Sequence, residues 1–238
     1  MKTFIIFIRA CLFFTPIIAS EKSIHIIGDS HASFCFTHQK PVATAHEKYD
    51  LKIGNDIFHL NVFWLVGRTM FRIGRDGVKG INLRGNHFIK DGDIVVFCFG
   101  EIDVRCHIGK QQKQFGRSIQ EIIESLALHY IHTIKKTQKL YNNLTCIVFN
   151  VIPPIFIENN PEYPTVSSLE ERIVYTKMLN AALADLCKKT DLLFLDVYDD
   201  FSLPSGSLDP RFSDGNIHIA PEYNRSIKTK LFEMIAFH

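Results

Sequence analysis

Two short polar segments near opposite ends of the chain carry residues suited to nucleophilic catalysis. Gly28-Asp29-Ser30-His31 follows an apolar run, and Ser213–His218 (SDGNIH) precedes the last helical pattern. A serine hydroxyl attacks a carbonyl carbon when an imidazole removes its proton and a carboxylate orients that imidazole. Ser30, His218 and Asp214 supply these three groups. Each segment alone also fits a helix cap or a surface turn, but together they predict an acyl-transfer site.

A third polar segment follows an apolar run in the middle of the chain. Between Gly100 and His107 (GEIDVRCH) it holds two acids, one arginine and one histidine. An acyl-transfer site needs hydrogen-bond donors aimed at the oxygen that becomes negatively charged, and Arg105 and His107 are donors of that kind. The alternative is structural, with Glu101, Asp103 and Arg105 joined in a hydrogen-bond network that makes the loop rigid.

The elements that must position these segments alternate between two patterns. Continuous apolar runs predict strands covered on both faces, and a 3.6-residue apolar period predicts helices. The predicted strands are Ser23–Ile27, Ile57–Phe63, Ile94–Phe99, Cys146–Ile152 and Leu192–Val197, and the predicted helices are Ser118–Leu140, Ser168–Lys189 and Pro221–Phe237. This alternation predicts a three-layer α/β/α sandwich with a mainly parallel five-stranded sheet. Function in such sheets gathers beyond the carboxyl ends of the strands, where all three polar segments fall.

The order of these segments resembles that of the SGNH/GDSL hydrolase superfamily. The resemblance rests on GDSH at Gly28–His31, a glycine after the second predicted strand, GEID at Gly100–Asp103, and a late Asp–His pair. It covers residues 21–238 in the order that the family has. It implies a flavodoxin-like fold and ester hydrolysis that uses no metal and no other cofactor.

The resemblance also implies a role for each matching residue. Ser30 would be the nucleophile. Its backbone N–H and that of Gly67, the glycine after the second predicted strand, would both donate to the oxyanion. His218 would be the general base, oriented by Asp214. Gly100 would lie beside the substrate, at the start of the GEID segment, which is the third of the family's sequence blocks.

Two departures from the family pattern carry consequences. Ile102 stands where the family has an asparagine whose side chain donates to the oxyanion, and losing one such donor typically costs roughly 10²–10³ in turnover. We therefore expect Arg105 or His107 to replace that donor. Asp214 lies four residues before His218, whereas the family's acid lies three residues before its histidine.

The first twenty residues differ from the rest of the chain. They contain no acid, begin with Lys2 and are almost wholly apolar apart from Arg9, which predicts an export signal cleaved near Ala19 or Ser20. Because Arg9 interrupts the apolar run, we do not expect residues 1–20 to form a full membrane span. We also expect no membrane span in the chain that is left after the signal is removed. Residues 21–238 would then be one domain in the periplasm, the cell envelope or the medium. The alternative is a buried first element of a cytoplasmic domain.

Composition limits the classes of partner. Removing residues 1–20 takes two of the 27 basic residues, which leaves 25 basic against 25 acidic residues and argues against a nucleic-acid or anionic-membrane partner. Five cysteines remain, an odd number at irregular spacing, so neither a disulfide framework nor a zinc site is expected. The histidines show no HExxH spacing either.

The sequence therefore predicts a metal-independent serine esterase that removes a small acyl group, such as acetyl, from a small-molecule or carbohydrate ester. Three alternatives stay open at this point. The chain could transfer the acyl group to a sugar hydroxyl, serve as a catalytically degraded binding module, or bind a flavin or nucleotide as flavodoxin-like folds do.

Overall fold

A computed structural model describes residues 23–37, 46–53, 56–81, 89–158, 161 and 164–237 of the 238-residue chain. The predicted export signal at residues 1–20 lies outside the described residues and stays a prediction. The described strands are β1 (Ser23–Gly28), β2 (His46–Ile53), β3 (Asp56–Trp64), β4 (Ile94–Cys98), β5 (Thr145–Phe149) and β6 (Leu193–Leu195).

The strands form one sheet in the order β2-β3-β1-β4-β5-β6. All neighbouring pairs are parallel except β2 and β3, which run antiparallel at one edge. The predicted mainly parallel sheet is therefore confirmed, but its predicted count of five strands is wrong by one. The additional strand, β2, alternates apolar Tyr49, Leu51 and Ile53 with charged residues, so it contains no continuous apolar run.

Helices cover both faces of the sheet and confirm the three-layer α/β/α architecture. The α-helices are α1 (Ser30–Phe36), α2 (Met70–Asp76), α3 (Val78–Ile81), α4 (Gly109–Phe115), α5 (Ile119–Gln138), α6 (Leu169–Lys189), α7 (Tyr198–Phe201) and α8 (Arg225–Ala236), and a π-helix spans Asp103–Ile108. One apolar cluster lies between the sheet and α2, α5 and α6, and a second lies between the sheet and α1 and α8.

The helix boundaries follow from local capping. Ser118 and Ser168 each accept a hydrogen bond from the N–H three residues on, while the glutamate at that position bonds back, so α5 and α6 begin in capping boxes. The predicted helix Pro221–Phe237 divides into a 3₁₀ turn at Pro221–Tyr223 and α8.

The predicted strand Cys146–Ile152 ends earlier, at Phe149. The backbone N–H and carbonyl of Val151 bond to the side chain of Asn180 instead of to a neighbouring strand. These bonds lead the chain out of the sheet at the edge where the polar segments gather.

Candidate active site

Ser30, His218 and Asp214, 188 residues apart at the extremes, meet at the carboxyl edge of the sheet. The Nε2 atom of His218 lies 2.9 Å from the Oγ atom of Ser30, and its Nδ1 atom lies 3.0 Å from Oδ2 of Asp214. These distances allow one hydrogen-bonded chain from hydroxyl to carboxylate, the arrangement in which an imidazole can take a serine proton.

Ser30 is presented by a tight junction between β1 and α1. A Cβ atom on Gly28 would lie 2.1 Å from the carbonyl oxygen of Cys98, so only glycine allows β1 and β4 to approach this closely. Asp29 then caps α1, its Oδ1 accepting the N–H of His31 at 2.9 Å. Ser30 is the first residue of the helix, half-buried at the end of a buried strand.

The segment that carries His218 is a tight loop that we call the His loop, residues 213–219. Its ends form an antiparallel bridge between Ser213 and Ile219, and Gly215 has a φ of 87°. Asp214 Oδ1 accepts the backbone N–H groups of Asn216 and His218, so the carboxylate folds the loop and also reaches the imidazole. The four-residue spacing from acid to histidine is thus accommodated by a turn one residue longer than the family pattern.

His218 is enclosed on several sides. Its ring stacks on Phe34 with centroids 3.8 Å apart, and the ring of His31 lies at 4.7 Å. Burial lowers the pKa of His218 to about 4, against the opposing pull of Asp214. Burial raises the pKa of the Asp214 carboxyl, but the hydrogen bonds from His218 and the loop N–H groups outweigh it and the pKa is lowered. The resting pair is therefore neutral imidazole with ionised carboxylate.

The two predicted oxyanion donors are the backbone N–H groups of Ser30 and Gly67. The N–H of Leu65 donates to the carbonyl of Gly28 at 2.7 Å, which draws the loop after β3 against the Ser30 junction. Gly67 lies in this loop with a φ of 64°, a conformation that favours glycine. Among the described residues, neither the Ser30 N–H nor the Gly67 N–H has a hydrogen-bond partner, so both can donate to a substrate oxygen.

Asp103 does not pair with Arg105; it caps the helix that follows the Gly67 loop. Its two carboxylate oxygens accept the N–H groups of Met70 at 2.8 Å and Phe71 at 3.2 Å. Asp103 is fully buried, and burial raises its pKa to about 7. Next to it, Gly100 has a φ of 124° and contacts Met70 and Val151 so closely that a side chain would not fit. Both residues therefore fix the loop that presents Gly67.

Glu101 and Arg105 form a bidentate ion pair, with N–O distances of 2.6 and 3.1 Å. Arg105 also donates to the carbonyl of Pro164 at 3.0 Å, so it ties the third block to the segment between β5 and α6. On its other side Glu101 lies 3.7 Å from the Nε2 atom of His31. Burial opposes its ionisation, but His31 and Arg105 lower the pKa of Glu101 to about 2.

The two proposed replacements for the missing asparagine are thus placed differently. Arg105 lies in the rigid network just described, 5% exposed. His107 is half-buried in the π-helix, and within the described part of the chain it makes no hydrogen bond or ion pair. Ile102 is also half-buried, at the start of that helix. The oxyanion role of Arg105 or His107 stays a prediction.

Sequence reasoning missed the two residues that enclose the imidazole, His31 and Phe34. Both lie on α1: Phe34 is four residues after Ser30 and so shares its face of the helix, and His31 is three residues before Phe34 and lies next to it. Their contact with His218 depends on the chain returning to this edge almost two hundred residues later, which no local pattern encodes.

The described residues contain no group of three or more histidine, cysteine, aspartate or glutamate side chains placed to hold a metal ion. None of the helices described above combines the length and apolar character needed to cross a bilayer.

By sequence, the chain matches no family model and no curated protein. Its structure is similar to that of a catalytic mutant of Axe2, an acetylxylan esterase from Geobacillus stearothermophilus, with a TM-score of 0.54 and 14% identity over 90% of this chain and 93% of that one. The native aryl esterase of M. smegmatis gives 0.53 and 16% over 91% and 99%. Est24, a carbohydrate acetylesterase from Sinorhizobium meliloti, gives 0.53 and 14% over 91% and 99%. At these identities the likeness establishes the fold: the chain folds as these ester-cleaving enzymes do.

Proposed function

We propose that the chain is a metal-independent serine esterase of the SGNH/GDSL type, with Ser30 as nucleophile, His218 as general base and Asp214 as its orienting acid. The observation that carries the proposal is the hydrogen-bonded order Ser30–His218–Asp214 at the carboxyl edge of the sheet. The fold shared with an acetylxylan esterase, an aryl esterase and a carbohydrate acetylesterase supports the same conclusion.

The reaction follows from the geometry. His218 Nε2 takes the proton of Ser30 as Oγ attacks the acyl carbon, and the carbonyl oxygen becomes an oxyanion facing the Ser30 and Gly67 N–H groups. When this intermediate collapses, the bond to the alcohol oxygen breaks and His218 gives its proton to the leaving alcohol. Water then attacks the acyl-serine with the same proton transfers, and the carboxylic acid leaves.

We propose a small acyl group, with acetyl as the first candidate, carried on a carbohydrate hydroxyl. Two of the similar structures are named for acetyl esters of carbohydrates, which supports that substrate class. The alternative is that the acyl group is transferred to a sugar hydroxyl instead of to water. Analysis of the products with and without a sugar acceptor distinguishes this transfer from hydrolysis.

The first test is hydrolysis of p-nitrophenyl esters of increasing acyl length, with labelling by a fluorophosphonate probe, for wild type and Ser30→Ala. We expect turnover to fall steeply beyond short acyl chains and to vanish in Ser30→Ala, because the attacking oxygen is gone. The melting temperature should change little, since Ser30 is only half-buried. An unaltered turnover number in this variant, or a wild type inert to every ester and to the probe, contradicts the proposal.

A further inference from the structure

An open groove of about 600 Å³ runs beside the His loop. Ser213, Gly215 and Asn216 of the His loop line one wall, and Ile155 and Phe156, from the segment after β5, line the other. Its volume is in the range of small-molecule sites. Because Gly215 and Asn216 lie between Asp214 and His218 in the chain, whatever occupies this groove lies next to the catalytic loop.

Phe156 exposes 68% of its surface, and the segment just before it is fixed by two hydrogen bonds. On one side of it, the carbonyl of Pro154 accepts the N–H of Leu208 at 2.8 Å. The carbonyl of Ile155 accepts from the guanidinium of Arg172, a residue that is 3% exposed, at 3.0 Å. The backbone that leads into Phe156 is therefore anchored to buried groups, and the exposed ring lines the groove.

The chemistry of the groove favours a neutral ligand with both apolar and hydroxyl surfaces. Glu158 is its single charged lining residue among those described, and it disfavours anions. Asn216 brings a carboxamide that makes no hydrogen bond within the described chain, whereas the Ser213 hydroxyl is bonded within the His loop to the Asn216 carbonyl and the Gly215 N–H. An aromatic face carries negative potential that attracts polarised C–H groups, and the face of a sugar ring presents such groups between hydroxyls at its rim.

We propose that this groove is the subsite for the alcohol part of the substrate, that the alcohol is an uncharged sugar unit, and that Phe156 is its stacking platform. The proposal rests on the proposed esterase function, because it places the sugar whose ester oxygen leaves the acyl carbon after Ser30 has attacked that carbon. It adds a specificity-determining residue that lies outside the three sequence blocks.

The test compares two acetyl esters that differ in the alcohol. Vinyl acetate has a two-carbon alcohol part that cannot span the groove, whereas O-acetylated xylo-, manno- and chito-oligosaccharides can. Activity is followed by release of acetate, and the measured quantity is the ratio of kcat/KM for the best oligosaccharide to kcat/KM for vinyl acetate. The variants are Phe156→Ala and Phe156→Trp. The control is Phe115→Ala, since Phe115 is 63% exposed on α4 and does not line the groove.

We expect Phe156→Ala to lower the ratio by about tenfold, mainly through a higher KM for the oligosaccharide. Phe156→Trp should retain the wild-type ratio, and Phe115→Ala should not change it. The subsite is overturned if Phe156→Ala leaves the ratio at the wild-type value, or if the wild type cleaves vinyl acetate but none of the oligosaccharides. A wild type that cleaves neither ester, with Ser30 unlabelled by the probe, overturns the proposed function and the subsite with it.

Discussion

Asp214 has two tasks in one short loop. One of its oxygens accepts two backbone N–H groups of the His loop, and the other lies 3.0 Å from the imidazole of His218. A carboxylate can accept all three hydrogen bonds, but a carboxamide in its place offers only one acceptor oxygen. The amide nitrogen would then face either the loop N–H groups or the imidazole N–H.

Asp214→Asn should therefore reduce turnover strongly and KM only slightly, because the amide oxygen can still accept the loop N–H groups and keep the His loop folded, while the amide nitrogen faces the imidazole and disturbs its tautomer. The corresponding change in a serine protease costs about 10⁴ in turnover. Steady-state kinetics on a p-nitrophenyl ester measure both constants, with Asp200→Asn, an exposed acid paired with Lys230, as control. A turnover number equal to that of wild type would show that the acid lies elsewhere or that Ser30 and His218 act as a dyad.

The pH dependence of activity should reflect the enclosed imidazole. Only neutral His218 can accept the serine proton, so kcat/KM rises as pH passes upward through the pKa of His218. Burial and the neighbouring His31 lower that pKa to about 4, against the upward pull of Asp214 and Glu101. We expect the rise well below the ordinary histidine value of 6.5, and His31→Gln should shift it upward by removing a nearby positive charge. A rise centred at or above 6.5 in the wild type would contradict this electrostatic picture.

At the scale of elements, the segment from Gly100 to His107 links three parts of the structure. Asp103 holds the first turn of α2, and Arg105 holds both Glu101 and the carbonyl of Pro164 in the segment between β5 and α6. Glu101 in turn lies against His31 on α1. The carboxyl ends of β1, β3, β4 and β5 are thereby fixed to one another through buried polar groups, which preorganises the site between them.

Arg105→Ala should lower the free energy of unfolding by about 3–5 kcal/mol, because the buried carboxylate of Glu101 loses its bidentate partner and keeps only the more distant His31. Denaturant unfolding measures this loss. The oxyanion role requires more: turnover of the folded variant must also fall by roughly 10²–10³. His107→Ala serves as comparison, since it leaves the Glu101–Arg105 pair intact. If neither folded variant loses more than about tenfold in turnover, the oxyanion hole relies on other donors.

Across the whole molecule, the sequence predicted those strands and helices whose formation depends on neighbouring residues in the chain. β1, β4 and β5 were predictable because strands covered on both faces need continuous apolar runs, and α5 and α6 because serine and glutamate at their starts form capping boxes. The edge strand β2 needs apolar residues only at alternate positions, and the alternation of Tyr49, Leu51 and Ile53 was the signal that would have found it.

The site divides in the same way. Ser30, His218 and Asp214 could be named from two short motifs, because each motif forms its own turn and cap. Two contacts could not be predicted from the sequence: the cap that Asp103 places on α2, and the packing of Phe34 on His218. Each joins residues that meet only after the sheet has assembled. Contacts of that kind depend on strand order, which the sequence pattern leaves open.

The free cysteines test the molecule as a whole. The five described cysteines are all free; Cys35, Cys98, Cys146 and Cys187 are buried, and Cys106 is half-buried beside Arg105. Burial raises the pKa of each buried thiol, so both access and thiolate content are low at these positions.

For residues 21–238 we expect a maleimide reagent to label Cys106 alone in the folded protein and all five cysteines after unfolding, as counted by mass spectrometry. The melting temperature should be the same with and without reductant, because no disulfide links the described cysteines. Fast labelling of two or more cysteines in the native protein would mean that the sheet and its two helical layers open far more readily than this packing allows.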